Sequence, residues 1–303
     1  MAAANIAVLI LTYNEQKHIE RCINSIKNIA SDIVVIDSFS TDDTVALAES
    51  LGARVLQNSW TNHAVQIQWG LDHANITSNW VMRIDADEYL ESEPEMVFKE
   101  LSSLPAKITG LIIKRKIFFL GQWMKYGAIY PVYTLRIWRN GAGRVENRWM
   151  DEHIVLMRGE AKAVDIDIVD DNINSISWWI DKHNSYATKE MIEILNQKYH
   201  FMPTDDALSA AGSTPAKSKR LIKERIYNKL PIFIRPMFYF FYRYIFKLGF
   251  LDRTKGFAFH FMQGYWYRTL VDLKVLEAEE LIGMNSDPVE IKRILAEHTG
   301  LDL

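Results

Sequence analysis

An α/β fold with a doubly wound, mostly parallel sheet, followed by a helical region of different chemistry, is the architecture this sequence predicts. Three observations carry it. Apolar runs and helical periods alternate from Asn5 to Trp80, the order produced by strands joined through crossover helices. Three polar clusters, Thr12–Glu15, Asp37–Ser40 and Asp85–Asp87, each follow an apolar run. They therefore share the carboxyl rim, where ligands of such sheets bind. After about residue 217 the composition changes, with cations and aromatic residues interleaved.

Asn5 to Thr12 is almost continuously apolar, as expected of a strand covered on both faces. Tyr13-Asn14-Glu15 turns the chain, and Ile19, Cys22, Ile23 and Ile26 recur at helical spacing. Ile33 to Ile36 is a second strand ending at Asp37, and Thr41 or Asp42 is the expected cap of the next helix. Val45 to Leu51 is a short helix closed by Gly52, and Ala53 to Leu56 a third strand. Ala64 to Ala74 is a helix, and Trp80 to Ile84 is the central strand, stopped by Asp85. Asp85 and Asp87 stand two apart, so in extended geometry they point to one side. Such a pair at a strand end suits a hard divalent cation shared with substrate phosphates; an ordinary solvated acidic turn is the plainer reading of the same tripeptide. Gly110 to Lys116 and Leu135 to Arg139 read as further strands, with a hairpin turn at Asn140-Gly141.

Composition sets bounds. The 303 residues are 49% hydrophobic, enough for a sizeable core, and the net charge of −3 excludes the basic character expected of a nucleic-acid binder. The single cysteine, Cys22, can form no internal disulfide, which fits a reducing cytosol. No secretory leader pattern is read at the N-terminus.

Taken together, Thr12-Tyr13-Asn14-Glu15, Val34 to Thr44 and Ile84-Asp85-Ala86-Asp87-Glu88 resemble the family 2 glycosyltransferases of GT-A fold. The resemblance covers roughly residues 5–195 and is closest to the bacterial branch that builds lipopolysaccharide core, capsule or lipid-linked oligosaccharide. It implies a GT-A, Rossmann-like catalytic domain over 1–200. The Asp-, Ser-, Gly- and Pro-containing stretch that follows reads as a linker over 201–217. The basic and aromatic composition after it reads as a membrane-associating helical region over 218–303, with which the resemblance agrees. The resemblance also implies a nucleoside diphosphate sugar donor, UDP-linked, with Mg²⁺ or Mn²⁺. Thr12, Tyr13, Asn14, Glu15, Asp37 and Ser40 would hold base and ribose. Asp85 would touch ribose or metal, Ala86 would lie between, and Asp87 would ligate the metal. Gln66 and Gln68 stand where relatives carry Gln-Lys-Asn, and Phe39 where many have a small residue such as Gly.

The segment from Lys114 through Phe118–Gly127 to Tyr130-Pro131 is similar to the family's acceptor segment, with rings for a sugar and cations for a phosphate. Arg148-Trp149-Met150-Asp151-Glu152-His153 sets two acids before an apolar run. An inverting transferase needs one base to take the acceptor hydroxyl's proton. The resemblance puts that base at Glu152, with Asp151 the alternative. His183, in a helix running to about Tyr199, would reach the metal or diphosphate, or Lys182 would neutralise a phosphate instead.

Between Lys217 and Lys274 thirteen cations stand against three acids, a local net charge of +10. No uncharged run approaches the roughly 20 residues of a bilayer span. Helices lying in the membrane interface fit this pattern; a subdomain packing on the catalytic domain, or a homodimer contact, is the other reading. The expected activity is hexosyl transfer with inversion to a lipid-linked saccharide at the cytoplasmic face of the inner membrane, by a peripheral or monotopic enzyme. The alternatives are an inactive membrane-bound scaffold of the same fold and transfer onto polyprenyl phosphate.

Overall fold

The computed structural model describes residues 5–91, 98, 100–146, 153–203 and 230–303. Its first half is a three-layer α/β unit. Strand β1 (Ile6–Thr12) lies between β2 (Asp32–Asp37) and β4 (Trp80–Asp85), and β3 (Arg54–Gln57) closes that edge, all four parallel. Helices α1 (Ile19–Ile26), α2 (Thr44–Ser50) and α3 (His63–His73) make the crossovers.

Strand alternation sets the two cores. Ile6, Val8 and Ile10 of β1 join Met82 and Ile84 of β4 against α1. Leu9 and Leu11 join Val34 and Ile36 of β2 against Ala64 and Ile67 of α3. Burying each such side chain contributes about 1.5–3 kcal/mol. At Gly70 helix α3 approaches so closely that a Cβ would lie 2.7 Å from Ile36 Cγ1, and only glycine fits.

Beyond β4 the sheet is mixed, which corrects the expectation of a mostly parallel one. The order is β3-β2-β1-β4-β8-β6-β11-β5, with β7 (Gln122–Met124) added to β6. Strand β8 (Val132–Arg139) runs antiparallel to both β4 and β6 (Ile108–Phe119). Strand β11 (Glu160–Asp170) is parallel to β6 and antiparallel to β5 (Glu88–Leu90). The turn at Asn140-Gly141 forms, with Gly141 at φ +71°, but it does not join partners. Strand β9 (Gly143–Val145) pairs instead with β10 (Ile154–Leu156) in a separate ribbon. Alternation along a strand reports burial, not which neighbour it meets.

Helix α4 (Ile176–Tyr199) starts at Ser175, whose hydroxyl accepts the Trp178 N–H, and ends at His200 with φ +55°. Its first turn sets Trp179 against Phe119 of β6, in a cluster that includes Met124 of β7, and its later apolar residues turn to the C-terminal helices. Ala187, Met191, Ile192 and Leu195 share a core with Val271 and Val275 of α7 (Tyr267–Ile282) and with Ile291 and Leu295 of α8 (Pro288–Thr299). The helical unit thus shares a core with the later turns of α4, which precede the boundary read at 200. It also contains α5 (Ile234–Phe241) and α6 (Arg253–Phe259), each continued by a π-helical turn, Tyr242–Phe246 and His260–Trp266. Inside it the buried pair Arg235–Asp272 is closed by a bond from Arg235 Nε at 2.9 Å, and Asp272 also accepts the Phe233 N–H at 2.9 Å.

Candidate active site

The three polar clusters do meet on the carboxyl rim of β1, β2 and β4. Their hub is Asp37, at the end of β2 and wholly buried. Thr12 Oγ1 donates to its carboxylate at 2.9 Å, the Ser40 N–H at 2.8 Å, the Ser40 hydroxyl at 2.5 Å and Gln57 Nε2 at 3.1 Å. Four donors fill the acceptor capacity of a carboxylate, so Asp37 organises the rim from beneath. Gln66 is also fully buried, donating to Ser38 Oγ (3.1 Å) and accepting from Asn58 Nδ2 (2.8 Å). It braces the loop and does not reach the opening.

The loops above Asp37 are laced together. The Asn14 N–H donates to Ser40 Oγ at 2.8 Å, Thr41 N–H to Asn14 Oδ1 at 2.8 Å, and Glu15 N–H to Thr44 Oγ1 at 2.7 Å. Asp42 takes the Thr44 N–H at 3.0 Å, but the residue at the cap of α2 is Asp43, not Thr41 or Asp42 as read from sequence, and its side chain makes no capping bond. Tyr13 and Phe39, on these two loops, remain 58% and 51% exposed, so the rim presents two aromatic faces. Phe39 sits at φ +60°, which explains why a small residue suits this position.

The two central aspartates differ. Asp85 is gripped by guanidiniums: Arg83 Nε donates at 3.2 Å and Arg136 Nη2 at 3.2 Å. Burial opposes its charge, but Arg83, Arg136 and His63 outweigh this and hold the carboxyl well below the usual range. Arg136 also donates to buried Glu88 at 2.7 Å, and Glu88 accepts the Asp85 N–H at 3.0 Å. Ala86 is buried between the two aspartates. Asp87 has lighter commitments. Its Oδ2 accepts Asn172 Nδ2 at 3.0 Å and lies 3.9 Å from Lys182 Nζ, while its Oδ1 has no hydrogen-bond donor among the described residues. Burial, with the Asp87 charge beside it, pushes the Asp170 carboxyl up to about 6. Burial works against the Lys182 ammonium, but Tyr186, Asp87, Glu15 and Asp170 together hold it above the ordinary lysine range.

His183 is placed elsewhere. Its Nδ1 bonds the Trp179 carbonyl at 2.9 Å, its ring stacks on Trp179 with centroids 3.4 Å apart, and burial lowers its pKa to about 4. On one helix turn, adjacent residues face different ways, and Lys182 is the one turned to Asp87. Asp85, Asp87 and His183 do not gather: among the described residues no three His, Cys, Asp or Glu side chains form a metal-holding group. The donor set that remains, Asp87 with one free oxygen beside an acid of raised pKa, still fits a cation held mainly by substrate phosphates. Asp85, covered by two arginines, fits less well. Asp151 and Glu152 lie outside the described residues.

Several contributors escaped the sequence reading. His18 is fully buried; Ile173 N–H donates to its Nε2 at 3.0 Å, so its proton sits on Nδ1 and points to Glu15 Oε2 at 2.6 Å. Arg21 Nη1 bonds Asp171 at 2.7 Å, tying α1 to the end of β11. Arg83 and Arg136 were legible only as charges inside otherwise apolar strands.

An open α/β sheet with exposed aromatic residues on its rim loops and acids at a strand end is of the doubly wound class, whose ligands bind at that rim. Residues 7–172 match the family model described as Glycosyl transferase family 2, and the chain belongs to that family. An uncharacterized glycosyltransferase of Rickettsia bellii is 46% identical over 88 residues, 29% of this chain and 29% of the relative. The lipopolysaccharide core biosynthesis glycosyltransferase LpsC of Rhizobium meliloti is 30% identical over 146 residues, 46% of this chain and 53% of the relative. The chain thus matches between about a third and a half of the length of these curated relatives. Glucosyl-3-phosphoglycerate synthase of Mycobacterium tuberculosis, solved with Mn²⁺, UDP and glucosyl-3-phosphoglycerate, superposes over 37% of this chain and 44% of that one. The TM-score is 0.30 at 25% identity.

Proposed function

We propose that this chain transfers a sugar from a UDP-linked donor, with inversion, to a lipid-linked saccharide at the cytoplasmic face of the inner membrane. The observation that carries the reading is the contrast at the rim: Asp85 is bonded by arginines, while Asp87, beside Lys182, keeps one oxygen without a donor among the described residues. Tyr13 and Phe39 offer faces for a base. Asp87 would hold Mg²⁺ or Mn²⁺ on the donor diphosphate, where a divalent ion neutralises charge on the leaving group. Lys182 supplies a second positive charge to the same phosphates.

The acceptor hydroxyl oxygen attacks the anomeric carbon, the bond from that carbon to the diphosphate oxygen breaks, and the hydroxyl proton passes to the Glu152 carboxylate. Asp151 is the alternative base. That LpsC is named for lipopolysaccharide core synthesis supports a saccharide acceptor on a lipid.

The test is a donor screen that detects free UDP or GDP from a panel of nucleotide sugars, with membrane lipid extract present. One UDP-sugar should release UDP only when extract is added. Silence with every donor would overturn the proposal, and unchanged release in EDTA would remove the metal from it.

A further inference from the structure

Between residues 230 and 276 the helical unit hides its acids and exposes several rings. Between residues 230 and 276 the only acidic residues are Asp252 and Asp272, and both are buried. Asp272 faces Arg235. Asp252 turns toward the sheet, accepting the backbone N–H of Tyr126 at 2.9 Å and of Lys125 at 3.3 Å. The outer surface of this stretch therefore carries no negative charge, while Lys247, Arg253 and Lys255 are exposed.

Between the cations lies a connected aromatic patch. Phe240 contacts Phe241, Tyr244, Phe257 and Phe261, and Tyr244 contacts Phe250, with centroids 5.4–6.3 Å apart. Phe241, Phe250, Phe257 and Phe261 are 38–47% exposed, and nearby Phe246 is 76% exposed. Apolar area of this kind, rimmed by charge, marks an interaction surface.

We propose that this patch docks on an anionic lipid bilayer and brings the 120–127 segment to the membrane surface. Rings at the level of the headgroups, flanked by cations, suit an interfacial position. A span is not available, since no described helix is long and apolar enough to cross a membrane. A second copy is a poorer occupant, because a two-fold contact would set the same cations against each other. The coupling to the 120–127 segment is direct. Besides the two Asp252 bonds, Gln122 Nε2 donates to the Asp252 carbonyl (2.8 Å), Lys255 Nζ to the Leu120 carbonyl (2.6 Å), and Gly127 N–H to the Lys247 carbonyl (2.8 Å). The packing is close: a Cβ on Gly127 would lie 2.1 Å from the ring of buried His260. The docked surface and the segment read as acceptor-binding move as one. This inference rests on the proposed function only for the identity of the acceptor; docking itself requires neither donor nor turnover.

Flotation of the full chain with vesicles tests it, using phosphatidylcholine alone or mixed with phosphatidylglycerol, at low and high salt. The protein should float with the mixed vesicles, less so when salt screens the initial attraction. Phe257→Ser with Phe261→Ser should lower partitioning about ten-fold or more. Lys247→Glu with Arg253→Glu, purely surface changes, should weaken it without altering the thermal midpoint. Equal partitioning to both vesicle types, or none, would overturn the proposal. So would a stable dimer in sedimentation that the same substitutions split while vesicles go unbound, since the patch would then join two copies. Vesicle binding without any nucleotide release would sink the transferase reading and leave docking intact, and nucleotide release without vesicle binding would do the reverse.

Discussion

The rim of the α/β unit and the 230–276 stretch of the helical unit arrange charge in opposite senses. At the rim of the α/β unit the arginines are buried and the acids stand at the strand ends: Arg83 and Arg136 donate to Asp85, and Asp87 lies beside Lys182. In the 230–276 stretch of the helical unit both acids, Asp252 and Asp272, are buried, while Lys247, Arg253, Lys255 and several rings are exposed. Net charge cannot reveal this, because both halves contain both signs. What differs is which sign has been desolvated inside a network, and therefore which sign is left to meet a ligand. The rim offers carboxylate oxygen with a lysine beside it, suited to a metal–diphosphate. The helical unit offers apolar area and ammonium groups, suited to an anionic interface.

That contrast is open to experiment at several levels. The largest expected effect is chemical. Glu152→Gln, which cannot accept a proton, should lower kcat about 10²–10⁴-fold with donor affinity near wild type. If Asp151→Asn shows this pattern in steady-state assays and Glu152→Gln does not, the base is the neighbouring residue.

Next is stability of the helical unit. Asp272→Ala leaves Arg235 buried without its carboxylate, and breaking such a pair should cost about 3–5 kcal/mol, read as a lower denaturation midpoint. Breaking the exposed pair Arg293–Glu297, by comparison, should leave the denaturation midpoint almost unchanged, since water and salt screen it. Equal costs would show that burial does not separate the two classes of charge.

Smaller again is Lys182→Met, which removes the cation 3.9 Å from Asp87. It should weaken donor binding about ten-fold in a titration, whereas His183→Gln should leave donor affinity unchanged. The reverse result would restore the histidine to the metal site.

The smallest effect concerns pH. Burial lowers the pKa of His260 from 6.5 to about 3, and neither ring nitrogen has a hydrogen-bond partner among the described residues. The folded state therefore binds fewer protons than the unfolded one between those values, so this residue's contribution to stability falls as pH drops below 6.5. Because other groups titrate in the same window, the comparison is between variants. His260→Phe should lose less stability than wild type on acidification from pH 7 to 5, and an equal loss would contradict the burial argument.

Much of this was legible before any coordinates. Period-2 and period-3.6 patterns located β1 to β4 and α1 to α4 to within a few residues, because each is set by local burial. The three rim clusters were legible because a strand's end is marked by the first polar residue after an apolar run. Three things were not. The sheet's mixed second half depends on which strand β8 meets, and pairing across the chain leaves no local signature. The arginine grip on Asp85 depends on β8 lying beside β4, so Arg136 read only as a charged residue in a strand. Lys182 and His183 are neighbours in sequence, and only the packing of His183 on Trp179 and Tyr267 decides which one faces Asp87.

The central claim is that the rim binds a nucleoside diphosphate through a metal held at Asp87. Calorimetric titration of UDP into the full chain, with Mn²⁺ and with EDTA, tests it most directly. Binding should be strong with Mn²⁺, weak in EDTA, and equally weak in both for Asp87→Ala, while Asp87→Ala keeps the wild-type thermal midpoint. Wild-type affinity that is the same in EDTA as in Mn²⁺, or full metal dependence retained in Asp87→Ala, would contradict it.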